Sequence, residues 1–524
     1  MRALLASASA LVLLAAPLFG GPAAAQEGTT WSQYQGGPAH EGYAPDGPQP
    51  PFRVRWTLPA PAGLSLSAAV VEDTVAITLG EEAVYGVDVA TGEVSWQVPR
   101  AGGPLSVPAV GTDAAGRRVL VYVEGPGVAI SGMASPSVSA SPSATPSGVT
   151  ASPSASPSPT GDENVSTVVA VRLRDREELW RTPLEGVSRS GVTIEGGDVY
   201  VGDGPPLVPA GGDQSGNVYA LSLEDGSVTW SEQVGGRADT PIAVADGNAY
   251  VIGRDADTPR VVLAAFDAAT GERAWSPLSL QVSSTAGSAP TAGGGSLFLG
   301  SADRRVRALN TGDGDERWNA LVLSVFSPAT ALAYDGESVY AADVAGGLYR
   351  LEAVDGARLW SFHVNEAVLR SAPVVSGSYA LLGLSNGGMV AVDVESGHLV
   401  WRSSVTPGLM GTFALTGDAV IAVKGGREAG LIAFEHDPDG ILLDEPSPTQ
   451  FEAATSLSRW AIAGVLVFGI ALALGLLASR RFGRSPEMTT QEEDEAFVEG
   501  QADGALEGED DDVTSAGDED EEDR

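Results

Sequence analysis

Cysteine is absent from the chain. That excludes disulfides, thiolate metal sites and covalently attached c-type haem, so an exported domain of this sequence must be held by its core alone. Lysine is nearly absent too: Lys424 stands alone beside 29 arginines, a usage typical of GC-rich bacterial genomes. Basic residues are outnumbered by acidic ones, 30 against 68, for a formal net charge of -38. Nucleic acid and anionic lipid are therefore poor partners, because both need Lys and Arg to neutralise phosphate. Only four histidines occur, His40, His363, His398 and His436, at no paired metal-ligand spacing. H-E-x-x-H, G-x-S-x-G and phosphate-loop motifs are missing, which removes the common metallohydrolase, serine hydrolase and nucleotide-binding readings.

Apolar runs long enough for a membrane occur only at the two ends. Residues 1–25 carry Arg2, an apolar stretch and a small-residue close at Ala23, Ala24 and Ala25, and read as a secretory signal peptide. Residues 460–479 contain no charge and follow Arg459, with Arg480, Arg481 and Arg484 behind them. At 1.5 Å per residue, such a helix covers about 30 Å, one bilayer core. The arginine excess places its C-terminal side in the cytoplasm and the bulk of the chain outside. The expected organisation is a signal peptide (1–25), a lead-in (26–51), a folded domain (52–436), a linker (437–458) and a transmembrane helix (459–479). A cytoplasmic tail (480–524) follows, so acidic and so poor in apolar residues that it is expected to be disordered.

The folded region is built from repeats. Gly followed four residues later by Trp recurs at Gly92/Trp96, Gly226/Trp230, Gly271/Trp275, Gly314/Trp318, Gly356/Trp360 and Gly397/Trp401. A seventh copy at Trp180 has Arg176 in the glycine slot. Ten residues before the Trp stands a small residue (Gly86, Ala170, Ala220, Ala265, Ala308, Ala391), with Arg350 as the exception. Each unit reads as short strands of alternating apolar residues joined by tight turns, for example NVYALSL, EDG and a Trp-bearing strand. From Trp230 onward the tryptophans fall about every 40 to 45 residues, the length of one four-stranded antiparallel propeller blade. After Trp401 three strand-like pieces follow without a fourth, while FRVRWTL (52–58) stands alone at the start with Trp56. If that N-terminal strand completes the last blade, the ring closes with eight blades and its sheets leave no unclosed gap.

The pattern A-x-D-x-x-T-G-x-x-x-W, seen in GVDVATGEVSW (86–96) and AFDAATGERAW (265–275), resembles the repeat of PQQ-type, quinoprotein-like β-propellers. The opening WSQYQGGPAHEGYAPDG (31–47) is similar to the lead-in of that family. The resemblance covers residues 31–436 and implies an all-β, eight-bladed propeller. It also implies a structural role for Trp56, Trp96, Trp180, Trp230, Trp275, Trp318, Trp360 and Trp401, docking blade against blade.

Two further features bear on function. Insertions fall after the second strand of three consecutive blades: a Ser/Pro-rich stretch (134–160), expected to be disordered, then 202–216 and 253–260. In a four-stranded blade all three lie on one face, and length variation on one face of a repeat ring often marks the binding face. The acidic run NTGDGDERW (310–318) has the look of a cation loop. Gly314 and Trp318 nevertheless occupy the repeat's own slots, so the run reads as the turn between third and fourth strands, with Asp313 and Asp315 as the only candidate cation contacts.

The resemblance brings calcium- and PQQ-dependent dehydrogenases into view. The vicinal cysteine pair and C-x-x-C-H haem site of such enzymes are absent, and no calcium ligand or catalytic base of the family maps onto a residue here. The expected function is a protein-binding scaffold in the bacterial cell envelope, without catalytic, cofactor or metal residues. Two alternatives stay open: a PQQ-binding dehydrogenase or quinone sensor, and an envelope ligand receptor signalling through its acidic tail.

Overall fold

The computed structural model describes residues 31–446, apart from 61–68, 104–105, 126–164, 206–214, 255–259, 282–288, 302, 323–330, 369–370, 405–407 and 427. The expected signal peptide, the Ser/Pro-rich insertion, the membrane helix and the tail lie outside the described residues. So does the second compact unit, 451–524, with the first ending at Gln450. Among the described residues no helix is long and apolar enough to cross a membrane.

Eight antiparallel sheets form the ring. Blade I consists of Val70–Glu72, Val75–Leu79, Ala83–Asp88 and Val94–Pro99; blades II to VII repeat the order, beginning at Ala109, Thr193, Ala243, Thr291, Ala333 and Val374. Blade VIII takes three strands from the end of the domain, Leu409–Leu415, Ala419–Gly425 and Gly430–His436. Its outer strand is Phe52–Pro59, paired with Gly430–His436 from Phe52↔His436 to Pro59↔Gly430. The ring is thus closed by joining its two ends in one sheet, as the unpaired Trp56 strand required.

Second and third strands of most blades are buried on both faces and are accordingly mainly apolar, as in Arg118–Glu124 (RVLVYVE) and Thr167–Arg172 (TVVAVR). The core lies between blades rather than in one centre. Val201 and Tyr219 of blade III pack with Val121 and Val168 of blade II, for example, and Phe298 of blade V with Tyr349 of blade VI. Outer strands alternate toward solvent, as Val94–Pro99 does.

Three local departures from the sequence reading have physical reasons. In blade IV the Trp does not lie in the outer strand: that strand is Leu278–Gln281, and Trp275 precedes it. Pro277, two residues after Trp275, has no N–H for the ladder. The lead-in is part of the ring, since Tyr43–Ala44 adds a parallel fifth strand inside blade VII, on Val375 and Ser376. The start of the expected linker is also bound, because Leu399 and Glu445 exchange backbone hydrogen bonds of 2.9 and 3.2 Å on the outer edge of blade VII.

Candidate functional site

The inner strand of every blade turns a backbone edge to the axis, and its N–H groups need partners. The lead-in supplies them in chain order. The amide of Val71 (blade I) donates to Trp31 O, Val110 (II) to Ser32 O, Val244 (IV) to Pro38 O, Ala292 (V) to Ala39 O, Tyr334 (VI) to Glu41 O and Val375 (VII) to Gly42 O, all at 2.7–2.8 Å. Blade III is served by a side chain: Ile194 N donates to Gln33 Oε1 at 2.7 Å, and Gln33 Nε2 returns a bond to Ile194 O at 2.9 Å. One segment of twelve residues therefore satisfies the same inner position in seven blades.

Tyr34 packs on Ala289, Ala331 and Ala372, each two residues before the inner strand of blade V, VI or VII. Gln35 Nε2 reaches Leu332 O and Pro373 O, each at 3.2 Å. His40 is fully buried, its Nδ1 3.0 Å from Pro290 O and its ring edge-on to Tyr34 at 5.1 Å. The amides that hold the segment lie next to the turn between first and second strands, so it fills the axis at that end.

Burial without a second partner at Nε2 pushes the His40 imidazole down to about 4. The folded chain thus refuses a proton that the unfolded chain accepts near pH 6.5. Stability from this group is present above pH 6.5 and is lost as pH falls through the interval to about 4, by up to about 3 kcal/mol. The His40→Gln variant is expected to unfold with a visibly flatter acid limb between pH 6.5 and 4 in thermal melts.

The eight repeat tryptophans sit at the blade junctions in two arrangements. Six donate from Nε1 to a carbonyl in the third-to-fourth-strand turn of the following blade. Trp56 reaches Val89 O (2.7 Å), Trp180 Leu223 O (2.9 Å), Trp230 Ala268 O (2.9 Å), Trp275 Thr311 O (3.4 Å), Trp318 Ala353 O (2.8 Å) and Trp360 Val394 O (2.7 Å). Three residues after each carbonyl stands the motif glycine, at φ between +71° and +76°, with the ring of that Trp against its Cα. A Cβ on Gly356 would lie 2.5 Å from Trp318. The glycine therefore serves the Trp of the preceding blade rather than the Trp four residues after it.

Trp96 and Trp401 do not make this bond, and theirs are the two junctions whose receiving turn lacks the glycine. Opposite Trp96 stands Arg176, at φ +62°, with its guanidinium 5.6 Å over the indole. Trp96 instead leans on Gly86 of its own blade, where a Cβ would come within 2.1 Å of the ring. Trp401 faces the junction between the chain's two ends and packs on Phe52 (5.3 Å) and Phe434 (6.2 Å). Arg350, the exception to the small-residue rule, shares Val394 O with Trp360 at 2.7 Å.

The insertion face has an organisation that the sequence reading missed. In blade III, Asp203 accepts from Asn217 N (2.7 Å) and from Tyr219 OH (2.8 Å). In blade VI, Asp343 accepts from Gly347 N (2.9 Å) and Tyr349 OH (2.6 Å) in the same way. Each pair pins the feet of the loop between second and third strands, which frees loop length to vary above it. Burial holds the Asp203 carboxyl up at about 6. The signal was present as Asp, then Asn or Gly, then Tyr two residues on, but the intervening chain differs in length and hid it.

Among the described residues no group of three or more His, Asp or Glu side chains is arranged to hold a cation. In the turn of NTGDGDERW, Asn310 Oδ1 accepts from Gly312 N (2.9 Å) and Asp313 Oδ1 from Asp315 N (3.0 Å), so the oxygens serve the turn. Calcium needs six to eight oxygen ligands at one point, and the buried carboxylates Asp203 and Asp343 are engaged by amides and phenols. His398 pairs with Asp444 (2.7 Å) and His436 with Gln49 O (2.9 Å), far from His40 in blade order. The described residues do not fit a calcium–quinone pair.

A family model described as outer membrane protein assembly factor BamB, of PQQ-repeat type, matches residues 164–325 and 283–427, which together span just over half of the chain. BamB of Salmonella typhimurium is 26% identical over 271 residues, 50% of this chain and 57% of that protein. BamB of Escherichia coli is 25% identical over 272 residues, with the same coverage, 50% and 57%. BamB of Yersinia pestis is 29% identical over 155 residues, 27% of this chain and 39% of that protein. The chain spans about half the length of these curated relatives, or less. Among solved structures, the quinohemoprotein alcohol dehydrogenase ADHIIG of Pseudomonas putida HK5 superposes with a TM-score of 0.55 at 12% identity, covering 80% of this chain and 82% of that one. A europium-containing methanol dehydrogenase gives a TM-score of 0.52 at 11% identity, covering 77% and 91%. At such identities the structural likenesses establish the fold alone. The repeat sequence, the eight-bladed ring and the matching family model together assign the chain to the PQQ-type β-propeller repeat family.

Proposed function

We propose that the chain is a propeller scaffold of the bacterial cell envelope that binds other proteins through its insertion face. The observation that carries this reading is the filled axis: Trp31 to Ala44 occupy the inner edge of seven blades, so the ring offers its rim and its insertion face rather than a deep central pocket. Relatives described as outer membrane assembly factors support an envelope protein with protein partners. A signal peptide at 1–25 and a membrane helix at 459–479 would hold the propeller on the outer side of the cytoplasmic membrane, with the acidic tail in the cytoplasm.

The PQQ-type repeat carries one other reading, a quinone-binding enzyme or sensor. Titrating PQQ with calcium into the purified chain separates the two. The scaffold reading expects no saturable quenching of tryptophan fluorescence and no dye-linked alcohol oxidation. Saturable quenching with turnover would replace it.

A further inference from the structure

The rim of the propeller is made of eight outer strands, each with one backbone edge to the outside, and such edges are templates for strand addition unless they are protected. Most are protected. Phe52–Pro59 carries Arg53 and Arg55 in ion pairs with Glu435 and Asp418, and the outer strands of blades II, III, V and VI each contain a charged residue or histidine. The strand of blade IV, Leu278–Gln281, is only four residues long.

Blade VII shows what an occupied rim edge looks like. Leu399 N donates to Glu445 O at 2.9 Å, Glu445 N to Leu399 O at 3.2 Å and Leu443 N to Val400 O at 2.7 Å, in antiparallel sense. His398, just before the strand, pairs with Asp444 at 2.7 Å. With this segment in place Leu399 is 4% exposed, whereas Val94 and Val228, at the equivalent position of blades I and III, are 45% and 49% exposed.

Blade I has neither form of protection. Its outer strand Val94–Pro99 (VSWQVP) is a six-residue edge without a charge. Its Trp96 is half-buried, makes no Nε1 bond to the next blade and lies under the guanidinium of Arg176, with Arg174 exposed on the same turn. Trp and Arg are among the residue types enriched at the hot spots of protein interfaces.

We infer that the outer edge of blade I is a strand-addition site for an extended segment of a partner protein. The partner segment pairs antiparallel with Val94–Val98, as Leu443–Glu445 pairs with blade VII. Its apolar residues lie on Val94 and Trp96, and a carboxylate faces Arg174 and Arg176, in the manner in which Asp444 faces His398. This deepens the scaffold reading by naming a contact on the rim, and it rests on that reading.

The test uses purified full-length protein and a synthetic peptide of the chain's own sequence 440–446, GILLDEP, as the strand probe. Backbone hydrogen exchange is followed with increasing peptide. The expected result is saturable slowing of exchange, at least about fivefold, confined to 94–98. It should be lost in Val94→Pro, which removes the N–H equivalent to that of Leu399, and in Val94→Lys, which leaves the N–H and adds an edge charge. The matched Val228→Pro control should behave as the parent does, and melting curves confirm that all variants fold. No protection at 94–98, protection only at 399–402, or equal protection in both Val94 variants overturns the inference. Protection of 94–98 in the protein alone, rising with its concentration, also overturns it and makes a second copy the occupant. If the insertion face still crosslinks to an envelope protein while the peptide leaves blade I unprotected, the scaffold reading stands and only this site falls.

Discussion

Replacing Gln33 with alanine is expected to destabilise the propeller by about 2–4 kcal/mol, because it strips the partner from two buried backbone groups at once, Ile194 N and Ile194 O. Six of the seven inner-edge contacts are made by backbone carbonyls that no side-chain substitution removes, so the Gln33 contact is the one of the seven that a side-chain change deletes. The consequence should not stay in blade III. Residues 31 to 44 run from blade to blade as one strap, and freeing it at Gln33 loosens its neighbours. Hydrogen exchange should therefore quicken together at Val110, Ile194 and Val244, and in a variant lacking residues 31–44 also at Val71, Ala292, Tyr334 and Val375. An effect limited to Ile194 would show that the strap is seven independent contacts.

Trp318→Ala is expected to cost about 3–5 kcal/mol, the range for truncating a buried aromatic, and Trp96→Ala less than half as much. Both occupy the same slot of the repeat, so propensity and position cannot distinguish them. The difference lies in the turn they meet. Trp318 is buried against Gly356, donates to Ala353 O at 2.8 Å and packs near Phe298 at 6.0 Å. Trp96 is half-buried, makes no such bond and rests on Gly86. Urea unfolding of the two variants decides the matter, with equal losses counting against the role assigned to the glycine turn.

The fold was legible because its signals were redundant. From Trp230 onward a Trp every 40 to 45 residues, with a glycine four before it and usually a small residue ten before it, marks the same two strands, and the leftover strand around Trp56 forced the closure of blade VIII. The meaning of the glycine was not legible. Within one repeat, Gly314 and Trp318 look like partners; only the three-dimensional arrangement shows that Gly314 meets Trp275 of the blade before it. The lead-in escaped for a related reason. Its contacts are made through backbone carbonyls at separations of tens to hundreds of residues, and carbonyls leave no trace in side-chain pattern. The same holds for residues 443–445, whose pairing with blade VII follows from where the chain is left after its third strand in blade VIII. The Asp–Tyr clasps of blades III and VI were readable in principle, since both carboxylates and both phenols are visible in the sequence, but their spacing changes with the loop they close.

The central claim is that the insertion face is the binding face, and site-specific photo-crosslinking in intact cells tests it most directly. Crosslinkers are placed one at a time at Arg189, Gly235 and Asn365, exposed on the inter-blade connections, and at Thr91, Asp313 and Asp355, exposed on the turns of the opposite face. The account predicts that the first set captures one or a few discrete envelope proteins in good yield and the second set does not. Capture from the turn face alone, or equal and diffuse capture from both, would contradict it.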